Sequence, residues 1–221
     1  MRGLTLPGDG DAPLHVLAVG AHADDIEIGA GGLLLELAAA RPGLEVTWVV
    51  LSGDDVRSGE ARRSAEGLLG EAANLTIELY DHRERYFPHL PELKERFDDL
   101  ASRIEPDVVL APRLEDRHQD HGTVAELVWQ AFRDHLVLEY EIVKYEGDLG
   151  QPNLYVPLAE ATVERKIAHI LGAYPSQAGR RWFSEETFRS ILRLRGVEAN
   201  AESGYAEAFT ARKVVADLGR R

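Results

Sequence analysis

Two six-residue clusters hold the side chains best suited to chemistry: Gly20-Ala21-His22-Ala23-Asp24-Asp25 and Asp116-Arg117-His118-Gln119-Asp120-His121. Two histidines and a carboxylate are the smallest ligand set of an open catalytic zinc site, which leaves a fourth position for water. His22, Asp25 and His121 can supply that set. Asp24 is then left beside the metal as a general base, and His118 as a hydrogen-bond donor to a developing oxyanion. Asp120 can orient a histidine from behind. Taken singly, each cluster has a plainer explanation. An Asp-Asp pair at a helix start is an N-cap with a macrodipole partner, and a His-x-Asp-His loop is a solvated surface.

The elements around the clusters favour the chemical reading. Residues 14–20 (LHVLAVG) form a nearly continuous apolar run, as expected of a strand buried on both faces. A helix follows over 26–40, ended by Pro42-Gly43. Strand 45–51, helix 58–73 and strand 75–80 come next, then a charged, aromatic loop over 81–89, helix 93–104 and strand 107–111. A polar loop over 112–122 feeds a helix over 123–136. This alternation predicts an α/β, Rossmann-like fold, with a mostly parallel sheet and helices on both faces. Open parallel sheets bind ligands at the carboxyl ends of their strands, and both clusters fall there. Strands one and four can be neighbours across the switch point, so the clusters can meet. The second half is less regular: a strand over 138–145, helices over 160–171 and 185–194, a turn region over 196–204 and the segment 205–215. With no repeat, linker or low-complexity tract, a single domain over residues 1–221 is expected, its C-terminal part wrapping the catalytic edge.

Together, AHADD after strand one and HQDH after strand four resemble the paired motifs of the PIG-L/LmbE-like zinc N-deacetylases. The family's first motif usually reads Ala-His-Pro-Asp-Asp. Ala23 stands at the proline position, a departure that loosens a turn and removes no ligand. The resemblance extends to Arg57-Ser58-Gly59-Glu60-Ala61 and to Tyr205-Ala206-Glu207-Ala208-Phe209. It implies one Zn2+ per chain, or another divalent metal such as Fe2+, on His22, Asp25 and His121. It implies Asp24 as the base, His118 as the oxyanion-stabilising acid and Asp120 tuning its neighbours. The implied activity is removal of an acetyl group from an N-acetylglucosamine-type sugar or glycoconjugate by water attack on the amide. In that scheme His118 is protonated, and Asp120 is expected to raise its pKa.

Substrate contacts are expected at Arg57, just past strand two, and at Glu207. Each has a plainer alternative: Arg57 pairing with Glu60 on a helix surface, and Glu207 as an exposed strand residue. The Arg180-Arg181-Trp182-Phe183 loop has the cation and aromatic mixture that sugars favour, though one buried aromatic in a surface loop explains it too. Gly29, Gly31 and Gly32 do not fit Gly-x-Gly-x-x-Gly and point to close helix–sheet packing. A phosphoesterase on the same His/Asp site is the main alternative function, and a second metal would favour it.

Composition narrows the partners. The 221 residues carry a formal net charge of −13, which repels phosphate backbones and anionic lipid, so nucleic-acid and membrane-surface binding are not expected. There is no cysteine, which removes disulfides and thiolate chemistry together. No apolar run of signal-peptide length opens the chain. A cytoplasmic enzyme acting on a small N-acetylated sugar is the expectation, with homo-oligomerisation left open.

Overall fold

The computed structural model describes residues 3, 6 and 13–215. Strand and helix alternate through β1 (His15–Gly20), α1 (Asp25–Ala40), β2 (Glu45–Val50), α2 (Asp55–Leu69) and β3 (Asn74–Leu79). They continue with α3 (Glu92–Arg103), β4 (Val108–Pro112), α4 (Gln119–Ala131) and β5 (Leu136–Tyr140). The rest comprises β6 (Leu154–Pro157), α5 (Glu160–Ala173), α6 (Glu185–Glu198) and β7 (Ala206–Thr210). The sheet order is β3-β2-β1-β4-β5-β7-β6, parallel through the first five strands, with β7 antiparallel to both β5 and β6.

Side chains alternate across a strand, so the sheet feeds two cores. Val16, Ala18 and Trp48 pack under α1, α2, α5 and α6, while Leu17, Val19, Val49 and Val109 pack under α3 and α4. The expected α/β architecture with helices on both faces is therefore what forms. The C-terminal half reaches the ligand-binding edge just past α5, where the Tyr174 hydroxyl donates to the Ala23 carbonyl. No helix among the described residues is long and apolar enough to cross a membrane.

Several boundaries move, each for a local reason. The fourth helix begins at Gln119 rather than 123, which draws Asp120 and His121 out of the expected loop and into the first helical turn. An Asp there is favoured by the helix dipole. Strand β5 ends at Tyr140 although the alternation runs to 145, because the chain then leaves the sheet to bring Lys144 to Asp116. Helix α6 runs through Gly196 to Glu198. That glycine marks a close approach, since a Cβ there would sit 2.0 Å from the Gly204 carbonyl oxygen. The four-residue β6, half exposed at the sheet edge, has no clear apolar alternation and was not expected.

Two of the three α1 glycines mark close packing as expected, while a Cβ at Gly31 would meet only ordinary contacts at 3.8–3.9 Å. A Cβ at Gly29 would lie 2.2 Å from the Tyr140 ring, and one at Gly32 would lie 2.6 Å from Leu158 and 2.7 Å from Glu207 Oε1. Glu207 itself corrects the substrate-contact expectation. It is buried on β7, accepts from the Gly32 and Leu33 amides at 2.6 and 2.7 Å, and pairs with Lys166 Nζ at 2.6 Å. Lys166 also donates to the Ile28 carbonyl at 2.7 Å. Ile28 and Gly32 are an i, i+4 pair, so β7 and α5 seize the middle of α1 by its own backbone groups. Both Glu207 oxygens are occupied, and neither is left for a sugar.

Breaking a buried ion pair from one side leaves an uncompensated charge, at a cost of about 3–5 kcal/mol. Glu207→Gln is expected to lower the unfolding free energy extracted from urea titration by that order, with a matching fall in the midpoint. Adding Lys166→Met should recover much of the loss, and an unchanged midpoint in Glu207→Gln would refute the clamp.

Candidate metal centre

Three hydroxyls hold the chain where β1 leaves the sheet. Tyr140 donates to the Val19 carbonyl at 2.7 Å, Ser52 to Ala21 at 2.7 Å and Tyr174 to Ala23 at 2.5 Å. The Asp25 carboxylate accepts from the His22 amide at 2.9 Å, closing the turn on itself. After β4, Asp116 Oδ1 accepts from the His118 amide at 2.9 Å. Such side-chain-to-backbone turns are what Asp provides in loops, and α4 starts one residue later.

These turns bring His22 and Asp25 of the first cluster together with Asp116, His118, Asp120 and His121 of the second. His22 Nδ1 lies 3.1 Å from His121 Nε2 and 3.5 Å from Asp25 Oδ2, and His121 Nε2 lies 3.3 Å from Asp25 Oδ2. A tetrahedral centre with bonds of about 2.0–2.1 Å holds its ligand atoms roughly 3.3 Å apart. His22, Asp25 and His121 thus fit one small divalent ion. Each histidine turns its other nitrogen to a carboxylate: His22 Nε2 to Asp120 Oδ2 at 3.3 Å, and His121 Nδ1 to Asp116 Oδ2 at 3.0 Å. Ligating histidines are commonly supported this way. His118 stands beside both rings, at centroid distances of 4.9 and 4.7 Å. Ligand atoms of His22, His118 and His121 all lie within 4.8 Å of one another, so His118 is a looser alternative to Asp25 as third ligand.

Asp24 occupies the N-cap of α1, yet its side chain makes no capping bond. Its Oδ1 accepts from Arg57 Nη2 at 2.8 Å, and its Oδ2 is buried with no hydrogen-bond partner among the described residues. Burial raises the Asp24 carboxyl above its usual range, against the pull of Arg57. Asp25 behaves oppositely: burial would raise it, but His121 and His22 hold it well below the usual carboxylate range. Burial alone would lower His22, but Asp25 and Asp120 outweigh it and bring it up to about 10. His121 rises to about 9 against the same burial, through Asp25 and Asp116.

His118 departs from expectation. Burial, then the neighbouring His121 and His22, lower its pKa, and Asp120 is too weak to reverse them. Asp120 is occupied elsewhere: besides His22 it accepts from the Arg85 amide at 2.5 Å and the Phe87 amide at 3.2 Å. Arg85 adopts a φ of 67°, a left-handed conformation uncommon outside glycine, with its N–H on that carboxylate.

The substrate-side residues are less concentrated. Arg57 reaches the site, but through Asp24 and not through Glu60, which is buried and accepts from the Ser176 amide and hydroxyl. In the 180–183 loop the arginines are exposed, while Phe183 packs edge-to-face on Trp182 and Phe188 in the core. Two participants escaped the sequence reading. Asp116 lay inside the quoted motif, five residues before His121, a spacing that could have marked it as that ligand's support. Lys144, which donates to Asp116 Oδ2 at 2.8 Å, carries no local signal.

Comparison with known proteins places the chain. The model of the family PIG-L, GlcNAc-PI de-N-acetylase, matches residues 17–132, just over half of the chain and inclusive of both clusters. An uncharacterized deacetylase of Escherichia coli K12, YaiS, is 33% identical over 129 residues, covering 53% of this chain and 68% of its own. Among solved structures, the N,N'-diacetylchitobiose deacetylase of Pyrococcus horikoshii superposes with a TM-score of 0.70 at 21% identity, over 91% of this chain and 86% of that one. GalB, a 4-carboxy-2-hydroxymuconate hydratase of Pseudomonas putida KT2440, gives 0.73 at 21% identity, over 93% and 100%. The fold thus hosts more than one reaction, and the activity has to be argued from the site.

The paired charges have a pH signature in the metal-free chain. His22 and His121 titrate above their unfolded value of 6.5, at about 10 and about 9. Their contribution to stability is complete below that unfolded value and is lost as pH rises through the folded ones. In chelator-treated protein the urea midpoint should fall across that alkaline window, and His121→Gln should flatten part of the fall. A midpoint constant over the window would contradict the pairing.

Proposed function

The chain belongs to the PIG-L family of GlcNAc-PI de-N-acetylases, and from that premise we propose a metal-dependent hydrolase that removes the acetyl group from an N-acetylglucosamine-type sugar or glycoconjugate. The observation that carries this reading is the triangle of His22 Nδ1, Asp25 Oδ2 and His121 Nε2, with sides of 3.1–3.5 Å, beside an unpartnered carboxylate oxygen of Asp24. A divalent ion held there, Zn2+ or Fe2+, supplies Lewis acidity and lowers the pKa of a coordinated water toward about 7. A small N-acetylated sugar is the partner this implies, acted on by residues 1–221 as a single domain.

The chain's own groups then divide the work. Asp24 Oδ2 accepts a proton from the water that attacks the amide carbon. His118, its pKa lowered, is neutral near pH 7 and donates a ring N–H to the carbonyl oxygen as charge develops there. When the C–N bond breaks, Asp24 returns the proton to the departing nitrogen, giving acetate and the free amine. Asp120 keeps His22 turned toward the centre and Asp116 does the same for His121. Arg57 has a double use: its Nη2 opposes the upward push of burial on Asp24, and its other N–H groups are offered to a substrate hydroxyl.

Amine release from a panel of N-acetylated sugars, with metal-quantified protein, tests the reading. His121→Ala is expected to lose metal and activity together. Asp24→Asn should keep the metal and lose turnover by a factor on the order of 10²–10⁴. His118→Ala should also keep the metal, with a loss of about 10²–10³. Loss of the ion in that variant would make His118 the third ligand instead of Asp25. No amine from any substrate, with phosphate released from esters, would favour a phosphoesterase.

The Arg57–Asp24 pair adds a pH test. Arg57 opposes the upward push of burial on Asp24, so Arg57→Gln raises that carboxyl further. The acidic limb of the kcat/KM profile should move to higher pH in this variant. A limb that stays in place would detach Asp24 from that titration.

A further inference from the structure

Lys144 lies in the segment between β5 and β6, remote in sequence from both clusters. Its Nζ donates to Asp116 Oδ2 at 2.8 Å and to both oxygens of Asp148 at 2.8 and 2.9 Å. The oxygen it meets on Asp116 is the one that faces His121 Nδ1 at 3.0 Å. All three side chains are shielded, with exposures of 10% for Lys144, 3% for Asp116 and 4% for Asp148. Asp148 Oδ2 also accepts from the Arg117 amide at 2.7 Å, and its backbone carbonyl accepts from Arg113. The segment therefore grips the loop after β4 at Arg113, Asp116 and Arg117.

We propose that Lys144 is a positioning residue for metal binding, fixing the Asp116 carboxylate behind His121 by sharing its ammonium between Asp116 and Asp148. Asp116 Oδ2 meets Lys144 Nζ on one side and His121 Nδ1 on the other, and Asp148 holds the ammonium in place from behind. Without Lys144 the Asp116 carboxylate loses the donor that fixes the direction of Oδ2 and is free to turn. That loosens the support of His121, and outer support of that kind is worth about 10–100-fold in metal affinity. A brace for the fold alone would change stability without changing affinity.

The inference rests on the metal reading above, and the test separates the two. Zn2+ affinity is measured by competition with a chromogenic chelator at fixed pH, alongside urea midpoints in excess chelator. Lys144→Met should bind Zn2+ about 10–100-fold more weakly, and Lys144→Arg should restore most of the loss. The double variant Lys144→Met/Asp148→Asn leaves no unpaired carboxylate at Asp148 and so protects the fold, yet should still bind weakly, because Asp116 Oδ2 still lacks the donor that fixes it. Wild-type affinity in Lys144→Met, or in the double variant, overturns the proposal. Wild-type protein that takes up no stoichiometric Zn2+ refutes the metal reading itself, and this proposal with it.

Discussion

Val16, Leu17 and Ala18 of β1 lie in register with Val108, Val109 and Leu110 of β4. This one strand pairing brings His22 and His121, 99 positions apart, to within 3.1 Å. The helices that follow the two strands leave toward opposite faces, so their first turns diverge around a crevice at the carboxyl edge. Asp25 opens one helix, and Asp120 and His121 lie in the first turn of the other. Anionic side chains are favoured at those ends by the helix dipoles, so the backbone itself helps to keep a crowd of carboxylates in place.

That crowd has to be balanced, and the balancing cations come from elsewhere in the chain. Arg57 enters from α2 to meet Asp24, and Lys144 from beyond β5 to meet Asp116. The same arrangement recurs away from the centre, where Lys166 of α5 meets Glu207 of β7 across α1. In a chain with net charge −13, three of the cations thus stand against buried carboxylates of the working edge and of the helix that leads from it. Removing one such cation affects two things together, the fold around it and the protonation of the acid it faced.

How much of this was legible beforehand follows from the range of each interaction. Both motifs, their positions after strands and their meeting could be read from local alternation plus the topology rule for parallel sheets. The close approach of His22, Asp25 and His121 followed, because it uses residues inside those motifs. Glu207 was misread as a surface or substrate residue, since its partners Gly32 and Lys166 are 175 and 41 positions away. Arg57 was assigned a helix-neighbour alternative at Glu60, and its actual partner is Asp24, 33 positions back. The direction of the His118 pKa shift was missed because burial, followed by His121 and His22, outweighs Asp120, and burial is not legible from neighbours in sequence. Nothing local to Leu154–Pro157 marked a strand: its pairing is with Ala206–Phe209, supplied by a later segment.

The turn after β1 hangs from the hydroxyls of Tyr140, Ser52 and Tyr174 by the carbonyls of residues 19, 21 and 23. Burial pushes both phenols upward, so all three donors stay neutral across any pH at which the protein works. Salt does not screen such contacts as it screens ion pairs. The frame of the loop is therefore insensitive to solution conditions, while the acids and imidazoles mounted on it respond to them. The conformational entropy of that loop is surrendered once, when the chain folds. It does not have to be surrendered again each time a ligand arrives.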